Sequence, residues 1–232
     1  MRELSECPLS LRQQYAFYAA LCLIAMAFTA VSGPYFRRFF GAVHPLIGVA
    51  AASVVGAVAL WALLRFGFVI IMGRSTLKGI GLSAVFATAL GVAIVIADLL
   101  LPYPRDMNVP LPQALPFYPA VGLVAEVVFH LLPLAILLPT LNLIAGRLGG
   151  ERVVWLGMLL VAVSEPTFQV IAGGGNGSPG SDAYTWLHIF AIAVLQLYVF
   201  RRFDFASMYS FRLIYYAYWH ILWGAIRLRV LF

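Results

Sequence analysis

Charged side chains make up only 10% of the 232 residues, against 63% hydrophobic residues. A soluble domain carries roughly 25% charged residues and needs them to cover its surface. A soluble enzyme and a nucleic-acid-binding domain are therefore ruled out as first readings, and no nucleic acid is expected among the partners. Lysine is nearly missing, with one residue against 14 arginines, and the net charge is +6. The cations sit mainly between apolar runs, where they meet lipid headgroups and set topology, so they call for no acidic partner. Cysteine is equally scarce: Cys7 and Cys22 give neither a disulfide framework nor a metal-ligand spacing. No small-residue cleavage pattern follows the first apolar run, so that helix is expected to stay. There is no internal repeat, no heptad pattern and no polar stretch long enough to build a soluble core, so residues 1–232 are expected to form one integral membrane domain.

Long apolar runs are what the chain does have. A hydrocarbon core of about 30 Å asks for about 20 apolar residues per helix. That ruler selects seven segments: 15–33, 46–72, 80–101, 117–141, 153–172, 184–200 and 209–226. Backbone amides in lipid must be paired within the segment and no barrel-like alternation is present, so the predicted fold is all-α, a polytopic transmembrane bundle of about seven helices. Arg2, Arg12, Arg74, Lys78, Arg147, Arg152, Arg201, Arg202 and Arg212 fall on one side, and Arg37, Arg38, Arg105, Arg227 and Arg229 on the other. Nine against five predicts a cytoplasmic N-terminus. The cation-poor 173–183 loop then lies opposite.

An ionisable group at bilayer depth costs at least ~2.5–3.5 kcal/mol, so each needs a partner or a purpose. Glu126 and His130, four apart, share one helix face. Pro133 cannot donate to the carbonyl of Phe129, and Pro166 cannot donate to that of Ala162, so two helices carry a carboxylate (Glu126, Glu165) beside a proline break. Glu126, His130, Glu165 and His220 are the candidate site, either as hydrogen-bonding glue between helices or around one cavity as a base or metal ligands. Their spacing is no zinc signature. Helix ends place Glu126 and Glu165 about 10 Å from the outer face and His220 a similar distance from the inner one. His188 and Trp186 read as interfacial, Arg65 as snorkelling, and Asp98 as reaching headgroups or Arg105. Tyr215, Tyr216, Tyr218, Trp219 and Trp223 on the last helix exceed what an isolated bundle needs and suggest docking against another membrane protein or a lipophilic cofactor.

The order of these polar helices resembles the CPBP family of membrane endopeptidases, which includes the type II CAAX prenyl proteases and bacteriocin-immunity proteins. AEVVFH at 125–130 resembles its Glu-Glu-x-x-x-Arg motif, with Ala125 at the first glutamate, Glu126 at the second and His130 at the arginine. SEPTFQVIA at 164–172 resembles its Phe-x-x-x-His motif, with Phe168 kept and Ala172 at the histidine. HILWG at 220–224 resembles its His-x-x-x-Asn/Asp motif, with His220 kept and Gly224 at the amide or acid. The likeness covers about 117–226. It implies a CPBP-like bundle in which Glu126 and His220 are family-matched and the water-activating glutamate is missing.

The expected function is a non-proteolytic membrane protein acting as scaffold or accessory subunit of a membrane complex. The alternative is an intramembrane CAAX-type endopeptidase with a site rebuilt on His130 and Glu165. Only that alternative would use a divalent metal, and no cofactor is otherwise expected. The expected partners are membrane lipids and another integral membrane protein, and the expected location is a bacterial inner (plasma) membrane.

Overall fold

The computed structural model describes residues 9–101, 103–145, 150–172 and 179–232. Arg2, Cys7, Arg147 and the first part of the loop expected on the non-cytoplasmic side, 173–178, lie outside them. All regular elements are helical: α1 (Leu11–Phe40), α2 (Pro45–Arg65), α3 (Thr76–Leu100), α4 (Ala114–Ala125), α5 (Leu132–Ala145), α6 (Gly150–Ala162), α7 (Ser164–Ala172), α8 (Pro179–Arg202), α9 (Phe205–Tyr216) and α10 (Gly224–Val230). A π-helical turn, Glu126–Leu131, joins α4 to α5, and a second, Ala217–Trp223, joins α9 to α10. With α6 and α7 end to end, the described residues form seven rods, and α3 runs in the same direction as the last rod, with Gly79 beside Ser207 and Gly91 beside Tyr218. Among the described residues, six stretches are long and apolar enough to cross a membrane: 11–32, 45–65, 76–100, 114–144, 150–171 and 179–202. The seventh rod, 205–230, carries Arg212, Arg227 and Arg229 and is not among the six.

Local chemistry sets the ends. Ser10 and Gln13 form a reciprocal capping box that starts α1. Expected to end at residue 33, α1 instead kinks at Ser32, beside Pro34, and runs on to Phe40. The second span corrects the sequence reading more: α2 stops at Arg65, not residue 72, because Gly67 turns the chain with φ +66°. The apolar residues 68–72 do not continue the helix: Val69 and Ile71 are buried and Phe68, Ile70 and Met72 half-buried beside the start of α9. Their carbonyls at Ile70 and Ile71 accept from the Phe205 and Ala206 N–H groups, and the Ile71 N–H donates to Gln14. Asp204 caps α9 through the Ser207 N–H at 2.8 Å and also holds the Gly73 N–H and the Thr76 hydroxyl.

In lipid, helices gain nothing from hydrophobicity alone and associate where small residues allow close approach. Gly79 of α3 lies against Ser207 of α9, and Gly56 of α2 against Tyr18 of α1 and Val127, with no space for a Cβ at either glycine. These contacts hold α3 along α9 and α2 beside α1 and the first π turn. The polar interior of the site lies between them.

Candidate functional site

Pro133 removes one amide donor from the α4–α5 rod, and the rod answers with the π turn: the Leu132 N–H reaches back five residues to the Val127 carbonyl. The Phe129 carbonyl, left without its helical donor as the sequence predicts, accepts from the Ser164 hydroxyl at 3.1 Å. Ser164 sits where Pro166 breaks the fifth rod into α6 and α7. The two proline breaks are thus stitched to each other, and each presents its glutamate inward. Glu126 and His130 are fully buried and Glu165 is 3% exposed.

Between the two glutamates stands Arg212 of α9, itself 3% exposed. Its Nε donates to Glu126 Oε1 at 2.5 Å, while its two terminal nitrogens grip Glu165 at 2.8 and 2.7 Å. The remaining N–H groups reach the Tyr216 hydroxyl and Gln196 Oε1, both at 3.2 Å. A guanidinium has five N–H groups, and all five have acceptors here. Gln196 of α8 returns a hydrogen bond from its Nε2 to Glu126 Oε1 at 2.5 Å, and Gln169 donates to Glu165 Oε1 at 3.2 Å. His130 Nδ1 lies 2.6 Å from Glu126 Oε2, with the imidazole donating to the carboxylate. Its Nε2, 3.9 Å from Glu165 Oε2, has no hydrogen-bond partner among the described residues.

Arg212 corrects the sequence reading. Counted there as a loop cation, it lies in the bundle's interior because α9 begins at the Asp204 cap, about 12 Å below it at 1.5 Å per residue. Gln196 was also missed, since an amide within an apolar run gives no sequence signal by itself.

The structure brings together three of the four candidates, Glu126, His130 and Glu165, and sets His220 apart. His220 lies two turns beyond Arg212, in the second π turn, and its Nδ1–H donates to Asn108 Oδ1 at 2.8 Å. Its ring stacks on Tyr118 at 4.4 Å and meets the edge of Tyr216 at 4.9 Å. It is therefore far from the Asp204 end of its rod, 15 residues past Phe205, and lies against Asn108 of the loop that precedes α4. Asp98 does not seek headgroups or Arg105. It is fully buried, and Arg227, counted as a loop cation, grips it with Nε at 2.7 Å and a terminal nitrogen at 2.8 Å. His188 is buried rather than interfacial, 3.0 Å from the Tyr215 hydroxyl.

The aromatic residues of the last rod are largely used inside the bundle. Trp223 donates to Asp98, Trp219 packs edge-on to Tyr103, and Tyr216 joins the Arg212 cluster. Tyr218 alone of the five reaches 36% exposure.

Arg212 fills the space between Glu126 and Glu165 that a shared metal ion would need, and no three His, Cys, Asp or Glu side chains converge as ligands among the described residues. The cluster does not fit a divalent cation. Its chemistry is that of an intramembrane charge network tying four rods: α4–α5, α6–α7, α8 and α9. No protein-family model, curated protein or solved structure matches this chain.

Proposed function

We propose that this chain is a non-proteolytic membrane protein with a CPBP-like bundle, acting as scaffold or accessory subunit of a membrane complex. One observation carries the reading: every N–H of Arg212 is bound and both carboxylates are engaged by it, so neither glutamate is a free base. A general base must reach its proton with an uncommitted lone pair. Glu126 instead accepts from Arg212, Gln196 and His130 in full burial. The family likeness is supported by the neighbouring motif stretches, where Phe129 and Phe168 meet at 5.3 Å and Ser164 bonds the Phe129 carbonyl. Ala125, Ala172 and Gly224 stand where the family's chemistry needs acid, imidazole and amide.

The partner in this reading is another integral membrane protein, in a bacterial inner membrane. A cytoplasmic N-terminus is supported by the cation count after Arg212 and Arg227 are removed from the loops, which leaves eight against four. In a background lacking Cys7 and Cys22, Arg74→Cys is expected to react only with a thiol reagent admitted to the cytoplasmic side of sealed vesicles, and Leu111→Cys only from the other. The reverse pattern would invert the topology.

A second reading, the intramembrane endopeptidase, is favoured by His130, whose ring is oriented by Glu126 and whose Nε2, 3.9 Å from Glu165, has no hydrogen-bond partner among the described residues. Purified protein in lipid vesicles, offered prenylated and unmodified peptides, separates the two. The expected result is no cleavage, together with a membrane protein held at fixed stoichiometry after extraction in mild detergent. Cleavage that disappears in a folded Glu126→Gln variant would establish the enzyme. A chain that runs alone would remove the scaffold reading.

A further inference from the structure

The 108–111 segment and the last helix enclose a groove of about 320 Å³ at the end of the bundle away from the Asp204 cap. Its helical wall is Ile221, Gly224, Ala225, Leu228 and Arg229, spaced so that they share one face of the rod. Its other wall is Val109, Pro110 and Leu111. Gly224 shapes the closed side: a Cβ there would stand 2.9 Å from Asn108 Nδ2, so only glycine lets the Asn108 amide lie against the helix. The Asn108 oxygen is committed to His220, while its Nδ2 has no acceptor among the described residues. Arg229 is exposed at the rim and forms no ion pair among them, unlike Arg227, which turns inward to Asp98.

An apolar groove with a guanidinium at its mouth that forms no ion pair among the described residues, on the last turns of the final helix, has the polarity of an anionic phospholipid. Acyl carbon matches Val109, Leu111, Ile221, Ala225 and Leu228, and a phosphate matches Arg229, since a guanidinium makes charge-assisted hydrogen bonds to phosphate oxygens. We propose that this groove is a phospholipid site that takes one acyl chain between the 108–111 segment and the last helix, with the anionic headgroup on Arg229. The site lies apart from the Glu126–Arg212 cluster and does not depend on the reading given for that cluster.

The test uses the full-length protein in detergent, with thermal melting and native mass spectrometry as readouts. Dioleoyl-phosphatidylglycerol is expected to raise Tm by about 5 °C at saturation and to leave one bound lipid per chain. Dioleoyl-phosphatidylcholine should give a clearly smaller rise, and inorganic phosphate none. Arg229→Gln should abolish the difference between the two lipids. Ala225→Trp, which fills the groove from the helix, and Leu111→Trp, which fills it from the loop, should each remove the retained lipid. Either filling variant decides, provided its Tm without lipid equals the wild-type value. Equal rises with the two lipids, a rise with phosphate alone, or retention of the lipid in a folded filling variant would overturn the proposal.

Discussion

Replacing Arg212 with Gln is expected to destabilise the bundle by about 3–5 kcal/mol, the cost of breaking a buried ion pair from one side. The variant leaves Glu126 and Glu165 buried without their cation and strips both of charged hydrogen bonds at 2.5 to 2.8 Å. Arg212→Lys should rescue little. An ammonium keeps the charge but lacks the planar fork that holds one carboxylate with two nitrogens and the other with Nε. The triple change Arg212→Met, Glu126→Gln, Glu165→Gln should recover most of the loss, because every partner of this guanidinium is a side chain and the neutral set removes the charge that had to be balanced. Thermal melting followed by tryptophan fluorescence in one detergent, with size-exclusion homogeneity as the check on folding, measures the series. An Arg212→Gln protein within about 1 kcal/mol of wild type would show that the cluster does not hold the rods together.

Six of the rods were legible in the sequence because they rest on run length, and run length is what a bilayer selects, whereas the seventh, expected at 209–226, forms a rod over 205–230 that is not among those spans. The proline breaks were legible too, down to the Phe129 carbonyl freed by Pro133, since a missing N–H is a local property. What could not be read was which cation closes which carboxylate. Arg212 lies near Arg201 and Arg202 in sequence, and counting residues assigns it to their loop. The misleading segment is 201–208: with Asp204 capping α9 against Gly73 and Thr76, the helix begins early and carries Arg212 inward. A signal was nonetheless present. Three carboxylates, Asp98, Glu126 and Glu165, stood inside predicted spans with Arg65 the one cation counted there, although Arg212 lies within 209–226, and Arg65 is exposed beside Trp61. Charge balance in a low-dielectric interior asked for further arginines, and the last rod, dotted with them, could supply them. The same rod misled through its aromatic residues. Tyrosine hydroxyls and indole N–H groups that suggested an outside partner are needed inside, where Asp98, His188 and Arg212 take them up.

Asp98 and Arg227 are expected to respond differently from the Arg212 cluster, and the difference lies in backbone. Asp98→Asn should cost about 3–5 kcal/mol, as Arg212→Gln does, by leaving a fully buried guanidinium without its counter-charge. Neutralising both partners should not repair it. Arg227 also donates to the Tyr103 and Pro104 carbonyls at 2.7 and 3.0 Å, and Asp98 also accepts from the Tyr103 N–H at 2.8 Å and the Trp223 indole at 2.6 Å. Asp98→Leu with Arg227→Leu therefore orphans four groups, three of them backbone that no substitution can remove, at roughly 1–3 kcal/mol for each one that stays buried. Exchanging the charges, Asp98→Arg with Arg227→Asp, should fail as well, because a carboxylate at 227 would face two carbonyl oxygens that require donors. Melting temperatures of the single, double-leucine and exchanged variants, measured beside the Arg212 series, test the contrast. If the double-leucine protein melts within about 1 kcal/mol of wild type, Arg227 serves only to neutralise Asp98, and the 103–104 carbonyls find water instead.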